Sequence, residues 1–161
     1  MSISDWIRQF RALHGEAKKG SLSQGDLERY RAACDEFARA LMATQKAALK
    51  PGEVPRHTLR VARAVQAELD SPTNALKLTT IDLGVGGFSA LVAKPLRPGD
   101  EFSARLKLPG GDPLETTVYV VESKVQPGSV RASFGFRKLG DASRDRIESL
   151  VIDTALASIA A

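Results

Sequence analysis

Two different spacings of hydrophobic residues divide the chain into a helical first third and a β-rich remainder. Near the start, apolar residues recur at intervals of three and four: Ile3, Trp6, Ile7, Phe10 and Leu13. This period predicts an amphipathic helix that ends near His14 and Gly15. The following segment, residues 15–25 (GEAKKGSLSQG), is rich in glycine and small polar residues and is expected to break the helix.

A second helix is predicted to begin at Ser23, a suitable N-cap, with Asp26 placed where an acid stabilises the first turn. Its apolar and small residues follow the spacing of a short coiled-coil seam: Leu27, Tyr30, Cys34, Phe37, Leu41, Thr44 and Ala48. Two interpretations stay open. Either the two helices pack on each other or on the following domain, or the seam mediates self-association. Cys34 lies on the seam, so we interpret it as a small buried side chain.

The period of the hydrophobic pattern changes to two after the segment Lys50–Pro55 (KPGEVP), which predicts an irregular linker. Residues 60–69 (RVARAVQAEL) are suited to a strand. In residues 102–108 (FSARLKL), alternate positions are apolar and are expected to point inward: Phe102, Ala104, Leu106 and Leu108. Residues 109–113 (PGGDP) and 126–129 (QPGS) predict turns on either side of a long β-branched strand, and residues 130–136 (VRASFGF) predict another strand.

Short strands separated by Gly/Pro turns are typical of a closed or nearly closed antiparallel barrel. The tail predicts a final helix capped by Asp141 or Ser143. One face of it carries Ile147, Leu150, Val151 and Ala155 and is expected to cover one side of the barrel. The sequence therefore predicts a mainly β protein, with a two-helix segment at residues 1–50 and a barrel domain with its C-terminal helix at residues 51–161.

Composition narrows the class of protein. The 161 residues are 43% hydrophobic and 26% charged, as in soluble globular proteins. A formal charge of +4 suits an anionic ligand, but 6% aromatic residues and the lack of a basic helix argue against a nucleic-acid binder. One cysteine permits no internal disulfide, and neither a bilayer-spanning run nor a signal peptide is recognisable. We therefore expect a cytoplasmic protein.

The sequence gives little support for catalytic activity. The two histidines, His14 and His57, are far apart and show no metal-ligand spacing, and no Ser-His-acid set can be assembled. Residues 82–88 (DLGVGGF) lack the Lys-Ser/Thr of a P-loop and do not open a helix in a βαβ unit. We expect neither an enzyme nor a metal site.

Two short motifs carry the candidate binding chemistry. Arg56 and Arg60 stand four apart after the linker, and Asp82 precedes a turn that contains Gly84 and Gly87. The arginine fork matches the O6/N7 edge of guanine and phosphate oxygens, whereas a carboxylate accepts from guanine N1–H and the exocyclic amine. Glycine lets the backbone approach a flat base. These residue types fit a guanine nucleotide, although Arg-x-x-x-Arg as a bare pattern more often marks a solvated surface pair.

Taken together, the motifs resemble those of the bacterial PilZ domain family, over residues 53–153. That family has Arg-x-x-x-Arg before its first strand and Asp/Asn-x-Ser-x-x-Gly after a later one, matched here by RHTLR (56–60) and DLGVGG (82–87). The order of the following elements, including SFGFRKL (133–139) and a C-terminal helix, is also similar. The resemblance implies a six-stranded antiparallel barrel that serves as a cyclic di-GMP receptor.

The resemblance also implies roles for individual residues. Arg56 and Arg60 would hold guanine edges and phosphates of cyclic di-GMP, which often binds as an intercalated dimer. Asp82 would hold a guanine Watson–Crick edge, and Gly87 would give the base room. The linker would close over the ligand and reorient the helical segment. His57 and Arg63 are further candidate contacts.

One position departs from the family pattern, because Gly84 stands where the motif has serine. A missing neutral hydrogen bond is worth ~0.5–1.5 kcal/mol, or about two- to tenfold in affinity. We therefore keep two hypotheses. The first is a cyclic di-GMP adaptor that regulates motility or surface-associated behaviour. The second is a scaffold that has lost nucleotide binding and that recruits a protein partner, or dimerises, through its N-terminal helices.

Overall fold

A computed structural model describes residues 2–49, 51 and 58–159 of the chain. The residues cluster into two compact units. The helical unit consists of residues 1–59 and 155–161, and the barrel unit of Arg60–Thr154. The predicted linker Lys50–Pro55 lies outside the described residues except for Pro51, and the proposed domain boundary at residue 50 stays a prediction.

The first helix, α1 (Ile3–Lys19), is longer than its hydrophobic pattern predicts. Its expected end at His14 and Gly15 is wrong: the helix continues to Lys19 and ends at Gly20, which has a φ of 71°. A glycine inside a helix costs only about 1 kcal/mol, so Gly15 does not end it. Gly20 does, because its left-handed backbone directs its N–H to the carbonyls of the last turn.

The second helix, α2 (Gln24–Ala47), begins as predicted, with the Ser23 side chain accepting a hydrogen bond from the backbone N–H of Asp26. It packs on α1 as a hairpin: the rings of Phe10 and Phe37 are 5.0 Å apart. Cys34 and Phe37 are buried, whereas Thr44 and Ala48 are exposed. The first half of the predicted seam therefore forms the core of the hairpin.

The helical unit also contains the end of the last helix, α3 (Asp141–Ser158). The guanidinium of Arg11 donates hydrogen bonds to the carbonyl oxygens of Leu156, at 2.8 Å, and Ile159, at 2.9 Å. Leu156 lies in the last turn of the helix and Ile159 directly follows it, where backbone carbonyls lack the regular helical donors. Arg11 therefore caps α3 from another helix. In the part of the chain that the structure describes, no helix is long and apolar enough to cross a bilayer.

Seven strands form the barrel unit: β1 (Arg60–Ala62), β2 (Gln66–Ser71), β3 (Asn74–Gly84), β4 (Gly87–Val92), β5 (Glu101–Leu106), β6 (Leu114–Gln126) and β7 (Ser129–Phe136). They pair antiparallel in the order β1-β3-β2-β5-β6-β7-β4, and the β3–β4 pairing closes six of them into a barrel. The short β1 lies beside the end of β3. The structure thus confirms the predicted six-stranded antiparallel barrel.

The barrel core follows the alternation predicted from the sequence. In β5, Phe102, Ala104 and Leu106 are buried while the residues between them are exposed. Leu108, the fourth position of that pattern, is buried as well. The predicted face of α3 is also buried: Ile147, Leu150, Val151 and Ala155. The Arg146 guanidinium donates to the Asp112 carbonyl at 2.8 Å, which joins the start of α3 to the turn between β5 and β6.

The single strand expected at residues 60–69 is two strands, β1 and β2. Both lie along the same side of β3, and the break between them is bridged by Thr80 of β3. The Thr80 hydroxyl donates to the carbonyl of Arg63 and accepts from the backbone N–H of Val65. This buried hydroxyl satisfies backbone groups that the sheet leaves unpaired at the break.

Candidate functional site

The candidate site lies on the outer surface of the barrel at the end of β3. Leu83 points into the core and is 0% exposed. Because side chains alternate along a strand, Asp82 and Gly84 face outward. Asp82 is nevertheless only 8% exposed, which is unusual for a carboxylate on the outside of a barrel. Its neighbours must therefore supply the hydrogen bonds that water would otherwise give.

At least three donors from the described residues meet at the Asp82 carboxylate. Oδ1 accepts from Arg60 Nη1 at 3.1 Å and from the backbone N–H of Ser89 at 3.1 Å. Oδ2 accepts from Arg131 Nη2 at 3.0 Å, and the same nitrogen donates to Ser89 Oγ at 3.1 Å. We call these four residues, Arg60, Asp82, Ser89 and Arg131, the Asp82 cluster. The cluster contains two guanidiniums and one carboxylate, so its formal charge is +1, which favours an anionic ligand.

Strand register explains why these residues meet. Asp82 of β3 lies opposite Ser89 of β4, and Arg60 of β1 lies opposite Gly84. Arg131 is the third residue of β7, which pairs with β4 on one side and β6 on the other. The cluster thus joins strands that are far apart in sequence, and closure of the barrel brings them together.

A strip of glycines runs across the outer face beside the Asp82 cluster. Gly84 lies opposite Gly87 across the two-residue turn Val85–Gly86, and Gly87 lies opposite Gly135 of β7. The strip is bordered by Arg60, opposite Gly84, and by Tyr119, opposite Gly135. Gly84 and Gly87 carry no side chains, so a flat group can approach the backbone closely at this end of the strip.

Two of these glycines are required by packing within the barrel itself. A Cβ at Gly87 would lie 2.0 Å from the carbonyl oxygen of Phe134. A Cβ at Gly135 would lie 2.5 Å from the ring of Tyr119, which therefore covers this glycine. The Arg137 guanidinium lies 4.2 Å from the centre of the same ring. Gly87 therefore allows β7 to approach β4, whatever room it also gives to a ligand.

The structure brings together most of the site residues that the sequence predicts. Arg60 and Asp82 form an ion pair in which both side chains are largely buried, and Gly84 and Gly87 stand opposite each other beside it. Arg56 lies outside the described residues, so its predicted role stays a prediction.

The two auxiliary candidates are His57 and Arg63, and their predicted contacts stay predictions. His57 lies outside the described residues. The backbone carbonyl of Arg63 accepts a hydrogen bond from the Thr80 hydroxyl at the break between β1 and β2. Residues 2–49, 51 and 58–159 contain no group of three His, Cys, Asp or Glu side chains that could hold a metal ion.

Sequence reasoning missed Arg131 and Ser89. The alternation in VRASFGF (130–136) does place Arg131 on the outer face of its strand, because Val130 and Ala132 are apolar. Which strands lie beside β7, and in what register, is set by the closed barrel and not by any local pattern. The alternation therefore identifies Arg131 as an outward-facing residue, but it does not identify Arg131 as a partner of Asp82.

Comparison with known proteins identifies the family of this chain. The family model described as PilZ domain matches residues 55–153, well over half of the chain. The chain belongs to the PilZ domain family. The matched region contains the motif residues, the Asp82 cluster and most of the barrel. No curated protein matches the sequence at a significant level.

Solved PilZ structures share the fold at low sequence identity. The PilZ domain of YcgR from Escherichia coli, solved with c-di-GMP, is 17% identical, with a TM-score of 0.55, over 65% of this chain and 95% of that one. The MrkH–c-di-GMP complex of K. pneumonia is 16% identical, with a TM-score of 0.59, over 66% of this chain and 55% of that one.

The Bacillus subtilis inhibitor of motility, MotI/DgrA, is 13% identical, with a TM-score of 0.58, over 66% of this chain and 54% of that one. The chain thus spans about half the length of the B. subtilis and K. pneumonia proteins. At these identities the similarity establishes the fold of the PilZ domain.

Proposed function

We propose that this PilZ domain is a cytoplasmic, non-enzymatic receptor for cyclic di-GMP that acts as an adaptor in motility or surface-associated behaviour. The observation that carries the proposal is the Asp82 cluster beside the glycine strip, with Arg60 and Asp82 at the matching motif positions. Membership of the family, and neighbours solved with c-di-GMP or described as inhibiting motility, support the ligand and the pathway.

Each part of the proposed ligand has a matching group. The Asp82 carboxylate accepts from the N1–H and amine of guanine, a pair of donors that adenine does not present. Arg60 supplies a fork of donors for a guanine edge or a phosphate. The strip from Gly84 to Gly87 gives the base a flat surface. Arg56 is proposed to add a second fork, and the linker around it to close over the bound nucleotide.

Isothermal titration calorimetry with cyclic di-GMP tests the proposal. We expect the wild-type chain to release or absorb heat at micromolar ligand. Arg60→Ala should weaken binding by at least about tenfold, since a charge-assisted hydrogen bond is worth ~1.5–3 kcal/mol. Arg105→Ala is the matched control, because Arg105 is an exposed strand arginine paired with Glu115. No heat from the wild type at high micromolar ligand would refute the proposal, as would equal losses in the two variants.

The scaffold hypothesis remains the second candidate. The observation that favours it is Gly84, which lacks the hydroxyl of the family motif. In this case an unidentified partner, or a second copy of the chain, would bind the N-terminal helices. Light scattering of the full chain across a range of concentrations tests self-association. If the chain is a monomer at every concentration, the proposed dimer is refuted. If the chain binds cyclic di-GMP, the claim that nucleotide binding has been lost is refuted.

A further inference from the structure

The Asp82 carboxylate cannot receive a guanine without losing one of its present donors. It already accepts from Arg60, from the Ser89 N–H and from Arg131. A carboxylate offers about four acceptor positions, and the guanine edge brings two further donors. These five donors exceed the number of hydrogen bonds that the carboxylate can accept. Binding as proposed therefore requires at least one donor to leave.

The position of each donor in the sheet indicates which one leaves. The Ser89 N–H belongs to the backbone directly opposite Asp82 in the β3–β4 pair, so it stays. Arg131 is carried by β7 between two neighbouring strands, and its Nη2 is also bonded to the hydroxyl of Ser89, which is 0% exposed. Arg60 is carried by β1, a three-residue strand at the end of the strand order.

Edge strands open at lower free energy than strands inside a sheet. Arg60 also belongs to the motif proposed to contact the ligand, so its guanidinium gains a new acceptor when it leaves Asp82. Arg60 is thus the donor that exchanges, and Arg131 is the donor that remains.

From these contacts we infer that Arg131 is a positioning residue for the proposed nucleotide site. With Arg60 transferred to the ligand, the Ser89 N–H holds Oδ1 and Arg131 holds Oδ2. One anchor on each oxygen fixes the plane of the carboxylate, which is the geometry that two parallel bonds to guanine need. Arg131 therefore determines base selectivity through Asp82, without touching the nucleotide. The inference rests on the proposed function.

The test compares cyclic di-GMP with cyclic di-AMP, which share the sugar–phosphate ring and differ in the base. We expect the wild type to prefer cyclic di-GMP, and Arg131→Ala to reduce the ratio of the two affinities by about tenfold. Arg131→Lys keeps the charge and a donor, so it should restore part of the ratio. Arg105→Ala, which removes a positive charge from an exposed site on β5, should leave the ratio unchanged.

A second measurement needs no variant. Side-chain ¹⁵N spectra of arginine, recorded during a titration of the wild type with cyclic di-GMP, should show the Arg60 guanidinium signals moving while those of Arg131 stay. The opposite behaviour would overturn the inference. This arm decides the question even if Arg131→Ala does not fold.

Other outcomes also separate the alternatives. An unchanged affinity ratio in Arg131→Ala would show that Arg131 does not position Asp82. Equal weakening of both dinucleotides, with a salt dependence reduced by about one charge, would make Arg131 a phosphate contact instead. A wild type that binds neither dinucleotide would refute the proposed function itself. A wild type that binds both equally would refute the reading of guanine by Asp82, and the inference with it.

Discussion

Replacing Asp82 by alanine should destabilise the barrel in the absence of any ligand. The substitution removes the common acceptor of Arg60, Arg131 and the Ser89 N–H. Two guanidiniums are then left facing each other, and a buried backbone donor loses its partner. The effect of this change therefore measures how strongly the barrel depends on the cluster.

The magnitude follows from the burial of the partners. Removing one member of a fully buried ion pair costs ~3–5 kcal/mol, whereas exposed pairs contribute ~0–1 kcal/mol. The side chains of Asp82 and Arg60 are 12% and 14% exposed, but that of Arg131 is 35% exposed, so water already solvates part of it. We therefore expect an intermediate loss of ~2–3 kcal/mol, most of it from Arg60 and the Ser89 N–H.

Urea unfolding followed by circular dichroism provides the measurement, since the midpoint and slope together give the free energy of unfolding. Glu115→Ala is the control. It also removes a strand carboxylate from an arginine, but Glu115 is 70% exposed and its partner Arg105 is 53% exposed. The control should lose less than ~1 kcal/mol. If Asp82→Ala loses no more than the control, the cluster is not a stabilising element and the reasoning fails.

Three further outcomes are expected. Gly87→Ala should lower the melting temperature of the barrel, with a cost of ~1–3 kcal/mol or more, because its Cβ would overlap the Phe134 carbonyl oxygen; an unchanged melting curve would contradict this. Phe10→Ala should destabilise the helical hairpin by ~3–5 kcal/mol, and fluorescence of Trp6, whose ring is 5.3 Å away, would report the loss. Gly84→Ser should tighten cyclic di-GMP binding about two- to tenfold in calorimetry, and no change would indicate a vestigial site.

Much of the fold could be predicted because its signals are local. The alternation of Phe102, Ala104 and Leu106 identifies both the strand and its buried face. Ser23 with Asp26 identifies the start of α2. Local signals also mislead where a distant group decides the outcome. The strand expected at residues 60–69 is broken where its backbone bonds to the Thr80 hydroxyl, about fifteen residues away, which no local pattern reveals.

The candidate site was predictable to a smaller extent. Arg60 and Asp82 were found through the family motif, and the structure joins them in an ion pair; their role in binding stays a prediction. Arg131 was missed because it follows Asp82 by 49 residues and meets it only through the register of a closed barrel. The packing role of Gly87 was hidden for the same reason, since its contact is with Phe134 on another strand.

The contact between Gly87 and the Phe134 carbonyl changes how the family signature can be used to sort its members. A glycine demanded by strand packing will persist in relatives that no longer recognise any nucleotide, so its presence carries no information about signalling. Loss of response in a Gly87 variant would likewise report a damaged scaffold. Receptors should instead be distinguished from silent homologues by the polar positions equivalent to Arg60, Asp82 and Arg131, whose side chains lie on the outer face of the barrel, where the nucleotide is proposed to bind.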